Sequence, residues 1–344
     1  MALRITKTHG SLNDIFVIDG APSDHFAEAD VARAVRLLCD RRLGLGGDGV
    51  YFIADNGDGS AEAYFFNPDG SASLLCGNGM RGAGRLLLDR YQAETVELRT
   101  GPHTFTVRAA ETTPHGVRQV SVELPPVDFA PEEPIVAGSA GAPFVDRSLP
   151  AYHPSRRFSA VAVPNSHLIT VLGDGGDDGR GGGGDGDRYD ESELIATGSR
   201  VAETPAAFPI GANVSFVRPL GGGEVFVRTF ERGAGLTPSC GSGVAASRAV
   251  LSRLGLVDPG EPVVVRNPGG IARSWLRTDG PRWQPVLEGN GTIVHTTELD
   301  PAALLGEGPV VYETRLAPGE AAAFDALSGD NLKVLREAGV ETAL

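Results

Sequence analysis

One corner of this chain is spelled twice, and that repetition constrains the fold more than any other feature. "FNPDGSASLLCGNGMRGAGR" starts at Phe66 and "FERGAGLTPSCGSGVAASRA" at Phe230, an offset of 164 residues, and each puts a cysteine ten residues after its phenylalanine. Cys76 and Cys240 both open a Cys-Gly-x-Gly. A strand-like run leads into each corner ("AYFF", "VFVRTF") and a small-residue helical pattern leaves it ("GMRGAGRLLLDRY", "SGVAASRAVLSRLG"). Further landmarks recur in the same order. Asp48 precedes Cys76 by 28 residues and Asn213 precedes Cys240 by 27, each just ahead of a β-like run, while "NDIFVIDG" from Asn13 resembles "NSHLITVLGDG" from Asn165. Four landmarks in one order and at near-equal spacing predict two copies of a single architecture.

The rest of the chain fits that expectation. With 344 residues, 41% of them hydrophobic, it suits two domains with real cores. Short strand patterns ("DIFVID", "GVYFIAD", "AEAYFF", "TVELRT", "VSVEL") alternate with Gly, Pro, Asn and Asp turns over the first 125 residues. "FAEADVARAVRLLCDRR" has helical spacing, and Cys39 falls on its packed face beside Leu37 and Leu38. A Pro- and acid-rich linker, "ELPPVDFAPEEP", precedes the second set of strands. Residues 173–191, "GDGGDDGRGGGGDGDRYDE", read as a flexible loop, because glycine maximises chain entropy and nothing there suits a core.

A net charge of −14 and the lack of a Lys/Arg cluster argue against nucleic acid as a partner. No stretch reaches the ~18 apolar residues of a membrane span, and "MALRITKTHGSLNDIF" has no apolar core with a small-residue cleavage site. A cytoplasmic protein with no membrane partner is expected. Three cysteines make no disulfide framework and lack zinc-site spacing, so no metal is expected.

A cysteine at a helix N-terminus meets unpaired N–H groups and the positive end of the helix dipole, a setting expected to lower the thiol pKa. Gly77, Asn78, Gly241 and Ser242 leave N–H groups bare to hold a carboxylate. Two such corners facing one carbon would suit racemisation or epimerisation: one thiolate removes the α-proton while the opposite thiol delivers another. That chemistry requires no cofactor, and none is expected. A pyridoxal Schiff base would require a lysine, and Lys7 and Lys333 lie near the termini, outside both corners. Two packing cysteines, or a redox pair, are the plainer alternatives.

Several motifs resemble those of the diaminopimelate epimerase family between about Lys7 and Thr296: "HGSLNDIFVIDG", "RRLGLGGDGVYFI", the two cysteine signatures, "VPNSHLITV", "GANVSFV" and "NPGGIARSW". The resemblance implies an α+β fold of two pseudo-symmetric halves, each a curved, mainly antiparallel sheet around a central helix, with the site in the cleft between them. It makes Cys76 and Cys240 the catalytic acid/bases and Gly77, Asn78, Gly241 and Ser242 the cradle of the reacting carboxylate. Asn13, Asn67, Asn165, Asn213, Glu231 and Arg232 match substrate-gripping positions, mainly for the distal amino acid end, and His167 matches a site-lining histidine. The implied activity is interconversion of LL- and meso-2,6-diaminopimelate in lysine and peptidoglycan precursor synthesis, by a homodimer. A two-thiol racemase of another amino acid, such as histidine or a proline derivative, and a non-catalytic amino acid binding protein or redox switch are the alternatives. The strand near Gly289–Thr296 is expected to return to the first half. The halves would then be residues 1–128 with 289–300, carrying Cys76, and 129–288, carrying Cys240. Leu236, Ser239 and Ser166 depart from the common Glu, Ala and Pro, and residues 301–344 form an extension of unknown role.

Overall fold

In a computed structural model, residues 3–173, 188–306 and 312–342 are described. The chain divides into two units, Met1–Val122 with Glu288–Gly329 and Glu123–Leu287 with Asp330–Leu344.

The first unit starts with β1 (Leu3–Gly10), β2 (Asn13–Asp19), α1 (Glu28–Cys39), β3 (Gly49–Asp55) and β4 (Ser60–Phe66). It continues with β5 (Ala72–Ser73), α2 (Gly77–Tyr91), β6 (Thr95–Thr100), β7 (His103–Ala110) and β8 (Gln119–Glu123). β1–β2, β3–β4, β6–β7 and β7–β8 pair antiparallel, and the crossovers β2–β3 and β4–β6 are parallel. β1 shows its inward face as alternate buried residues, Leu3 and Ile5, as a half-buried strand should. The amphipathic α1 buries Val31, Ala34, Val35, Leu38 and Cys39 against Phe16, Val50 and Phe52. Burial pushes the Cys39 thiol up to about 12, so this cysteine behaves as a small apolar side chain.

The second unit repeats the order. β9 (Arg147–Ser148), β10 (Arg157–Val163), β11 (Asn165–Val171), α3 (Glu191–Ala202), β12 (Asn213–Gly221) and β13 (Glu224–Glu231) lead to β14 (Gly235–Leu236), α4 (Gly241–Arg253), β15 (Val263–Asn267), β16 (Gly270–Arg277) and β17 (Gln284–Asn290). Its pairing matches strand for strand: β10–β11, β12–β13 and β15–β16 are antiparallel, and β11–β12 and β13–β15 are parallel. The duplication read from the sequence is therefore one of topology, within an α+β fold.

The helices after the two cysteines are central. α2 packs on β1, β2, β3, β6 and β7, and α4 packs on β10, β11, β12, β13 and β16. From Gly241 to Ser252 every residue of α4 is buried, which marks a helix enclosed by its sheet. Small residues permit the approach. A Cβ on Gly82 of α2 would lie 2.1 Å from the Thr8 hydroxyl of β1.

In the Pro- and acid-rich segment after Glu123, Leu124 N–H donates to the Pro285 carbonyl (2.9 Å) and Val127 N–H to the Trp283 carbonyl (2.8 Å). These bonds place it with the second unit. The C-terminal residues form ordered structure: after β18 (Thr292–Leu299), which pairs with β1, come α5 (Pro301–Leu304), β19 (Glu313–Leu316) on the edge of β18, and α6 (Pro318–Glu337). The glycine-rich segment 173–191 lies mostly outside the described residues; its end leads into α3 through the N-cap Asp190. Among the described residues, no helix is long and apolar enough to cross a membrane.

Candidate active site

Each cysteine caps its helix. Cys76, at φ −123° and ψ 105°, and Cys240, at φ −111° and ψ 108°, are extended residues whose sulfurs accept the N–H of the third residue on, Gly79 and Gly243, each at 3.4 Å. A sulfur replaces the Ser or Asp oxygen usual at such caps. The thiols are thus held at the positive ends of α2 and α4, where the first-turn N–H groups, including those of Gly77, Asn78, Gly241 and Ser242, precede the helical hydrogen-bond ladder.

In the first unit, the Cys76 thiol donates to the Asn13 amide oxygen at 3.4 Å. Asn13 opens β2, immediately after a two-residue connection from β1. Behind the sulfur, the Tyr51 hydroxyl of β3 accepts the Cys76 N–H (3.0 Å) and donates to the Cys76 carbonyl (3.3 Å). Tyr51 is fully buried, and desolvation holds its hydroxyl protonated, well above the ordinary tyrosine range. Arg81, five residues into α2 from the cap, is also fully buried; burial lowers its pKa to about 10, which leaves it charged at neutral pH, and the opposing pull comes from Cys76.

In the second unit, Cys240 is buried and its sulfur lies 3.5 Å from the Ser242 hydroxyl. Its partner is an acid: the Cys240 thiol hydrogen-bonds to the Glu231 carboxyl at the end of β13, and Thr237 donates to the same carboxyl. Burial first, then the Glu231 charge, push the Cys240 thiol well above its usual value, although the Ser242 hydroxyl and the Gly243 N–H pull it down. The expectation that a helix N-terminus lowers the thiol pKa is therefore reversed at Cys240, where desolvation and a like charge outweigh the cap. Burial likewise raises the Glu231 carboxyl.

The other residues singled out in the sequence take up varied positions. Asn67 sits in the turn after β4, its amide donating to the Ser71 hydroxyl (3.0 Å). Asn165 is exposed at the start of β11. The buried Asn213 accepts the Arg232 N–H at 2.8 Å, fixing the backbone beside Glu231. The exposed Arg232 side chain donates to the Ile210 carbonyl. Ser166 donates to the Gly211 carbonyl at 2.6 Å. His167 is fully buried with neither ring nitrogen hydrogen-bonded, and desolvation lowers its pKa to about 3, so the ring is neutral. Tyr51, Thr237 and Arg81 escaped the sequence reading. Only Arg81 left a trace there, as a charge among the small residues of "GNGMRGAGR".

The sequence profile of the diaminopimelate epimerase family matches residues 5–123 and 187–294, both cysteine corners included. The chain belongs to the diaminopimelate epimerase family. It is 34% identical over 306 residues to the diaminopimelate epimerase of Enterococcus faecalis, covering 87% of this chain and 89% of that one. With the Ligilactobacillus salivarius enzyme of the same name it shares 31% over 334 residues, 94% of this chain and 98% of the relative. So large a share leaves too few residues uncovered to omit the C-terminal segment as a whole, so part of it aligns with this relative. Among solved structures, a Bacillus anthracis phenazine biosynthesis protein of the PhzF family superposes with a TM-score of 0.61 at 12% identity, over 87% of this chain and 99% of that chain. A hydroxyproline epimerase from Agrobacterium vitis, with bound trans-4-hydroxy-L-proline, gives 0.57 at 17%, over 87% and 92%. At such identities these likenesses show the fold alone, and the isomerase class follows from the diaminopimelate epimerase family.

Proposed function

We propose that this isomerase interconverts LL- and meso-2,6-diaminopimelate by proton transfer between two thiols, as a step of lysine and peptidoglycan precursor synthesis. The observation that carries the reading is the matched pair of cysteine caps, each sulfur bonded to a helix N–H and each thiol provided with an acceptor, Asn13 for Cys76 and Glu231 for Cys240. One sulfur, as thiolate, takes the α-proton; the other, as thiol, delivers a proton to the opposite face. The α-carbon inverts, the protonation states of the two sulfurs exchange, and the reverse reaction uses the exchanged pair. Charge that builds on the α-carboxylate is met by the N–H groups of Gly77, Asn78, Gly241 and Ser242.

The Cys240 pair starts on the acid side. Its thiol is held protonated by burial and by Glu231, and Glu231 is the group placed to accept that proton when the thiolate is needed. Arg232 supplies a planar donor for a distal carboxylate, and Asn67, Asn165, Asn213 and the neutral His167 complete the proposed substrate contacts. The homodimer belongs to the same proposal, and a single-chain mass by light scattering would count against it.

A second reading, a two-thiol racemase of another amino acid, is favoured by Glu231: its carboxyl is engaged by Cys240 and Thr237 and so is less available to a distal ammonium. Chiral chromatography after incubation with LL-diaminopimelate, L-histidine, L-proline and trans-4-hydroxy-L-proline separates the two. Formation of the meso isomer alone supports the first reading. Inversion of another substrate in its place supports the second, and inversion of none points to binding or redox use of the thiols.

A further inference from the structure

Helix α6 presents one stripe to the rest of the protein at three-and-four spacing, with Phe324, Leu327, Asn331 and Leu335 buried and Glu320 half-buried. In the first unit this stripe meets the Cys76 machinery from behind. The Glu320 carboxylate accepts from both terminal nitrogens of Arg85 (2.8 and 3.3 Å) and from the Ile293 N–H (2.8 Å). Arg85 lies on α2, nine residues after Cys76. One turn on, the Phe324 ring packs edge to face on His9, with centroids 4.3 Å apart and planes at 76°.

His9 supports a strained turn. The β1–β2 connection is Ser11-Leu12, and both residues have positive φ, 55° and 63°. Left-handed backbone is disfavoured for an ordinary side chain, which is why glycine or asparagine usually occupies such turns. Here surrounding groups over-determine it. His9 Nδ1 accepts the Leu12 N–H (3.4 Å) and faces the Asn290 amide nitrogen (3.2 Å), while the Asn290 amide oxygen accepts the Ser11 N–H (2.9 Å). Arg81 donates to the Ser11 hydroxyl at 3.3 Å. Burial lowers the His9 pKa to about 4, so the ring is neutral at neutral pH, and the Leu12 N–H bond to Nδ1 requires the tautomer with its proton on Nε2. The residue after this turn is Asn13, whose amide accepts the Cys76 thiol. There is little slack between turn and helix, because a Cβ on Gly10 would sit 2.7 Å from both the Asn78 carbonyl and Arg81 Nη2.

We propose that the C-terminal helix is a positioning element of the Cys76 half-site: Phe324 fixes the His9 ring, His9 holds the Ser11-Leu12 turn, and the turn sets the Asn13 amide against the thiol. Phe324 and His9 are positioning residues, since neither touches the sulfur. The inference rests on the reading of Cys76 as an acid/base, but its first readout needs no substrate.

In the full chain, Phe324→Ala, Phe324→Leu, His9→Leu, His9→Asn and His9→Gln are compared with wild type. Each is measured for iodoacetamide alkylation of Cys76 and Cys240 by peptide mass mapping, for kcat and KM with LL-diaminopimelate, and for thermal unfolding. Asn places an acceptor where Nδ1 lies and Gln does not. Expected are a change of about threefold or more in the Cys76 alkylation rate in Phe324→Ala and His9→Leu with Cys240 unaltered, and a fall of about tenfold in kcat at nearly constant KM, as small misplacements of a reacting group produce. His9→Asn should recover most of both and His9→Gln little. If an alanine or leucine variant does not fold, Phe324→Leu and the Asn/Gln pair carry the same comparison. Wild-type rates at both thiols in the folded variants, equal changes at both, or equal rescue by Asn and Gln overturn the proposal. A wild-type enzyme inactive on diaminopimelate with a selective change at Cys76 would overturn the substrate reading and leave the positioning role standing.

Discussion

Glu231→Gln tests the electrostatics of the second half-site in one step. The carboxyl lies within hydrogen-bonding reach of the Cys240 sulfur, and its charge is the second cause, after burial, of the raised thiol pKa. Two unit charges about 4 Å apart at an effective dielectric of about 20 repel by about 4 kcal/mol, equivalent to about three pKa units. That is an upper bound, because the Glu231 carboxyl is itself raised and carries less than a full charge near its own pKa. Glutamine removes the charge and keeps an amide oxygen as acceptor for the thiol, so the Cys240 pKa should fall. The chain has three cysteines, so labelling cysteine Cβ with carbon-13 gives three resonances, assignable by Cys→Ser variants and titratable one by one. The Cys240 resonance alone should move to a lower titration midpoint, with Cys39 left near its value of about 12. A Cys240 midpoint that stays put or rises in Glu231→Gln refutes the reasoning.

Three further outcomes are expected. Tyr51→Phe leaves the Cys76 N–H without its buried acceptor, and chemical denaturation should show a loss of about 1–3 kcal/mol; a loss below about 0.5 kcal/mol would mean that the hydroxyl does not hold the cap. Gly10→Ala puts a methyl 2.7 Å from the Asn78 carbonyl, a backbone atom that cannot swing aside, so overpacking should cost about 1–3 kcal/mol and turnover should fall with it; an unchanged melting temperature contradicts this. His9 and His167 have folded pKa values lowered to about 4 and about 3, so as pH falls below 6.5 the unfolded chain binds protons that the folded chain refuses. Stability present above pH 6.5 should be lost at about 1.4 kcal/mol per pH unit for each histidine down to about pH 4, opposed by at most one proton at Glu231; equal urea midpoints at pH 7 and pH 5 would contradict this.

The two helix-cap cysteines were legible because duplication makes them so: two Cys-Gly-x-Gly corners on one spacing identify the caps without a structure. The partners of the sulfurs were less so. Asn13 and Glu231 both stood out by resemblance as substrate contacts, yet their hydrogen bonds reach the thiols, across 63 residues in one case and through a β13 turn in the other. Tyr51 was hidden inside "GVYFIAD", where a tyrosine reads as one more strand residue, and only the placement of β3 against α2 brings its hydroxyl to Cys76. The pKa of Cys240 depends on depth, which spacing does not encode. In "ELPPVDFAPEEP", composition marked a linker and carried no sign of the two backbone hydrogen bonds that dock it. The spacing of Phe324, Leu327 and Leu335 marks α6 as amphipathic; its contacts with His9 and Arg85 join residues more than 200 positions apart and leave no local sign.

If one cysteine removes the α-proton and the other delivers a new one to the opposite face, proton NMR of LL-diaminopimelate in D2O shows it most directly, with wild type, Cys76→Ser and Cys240→Ser side by side. The account predicts that wild type introduces deuterium at one α-carbon as the meso isomer forms, and that both variants lose the conversion. Full conversion by either serine variant, or meso product formed without solvent deuterium, would contradict it.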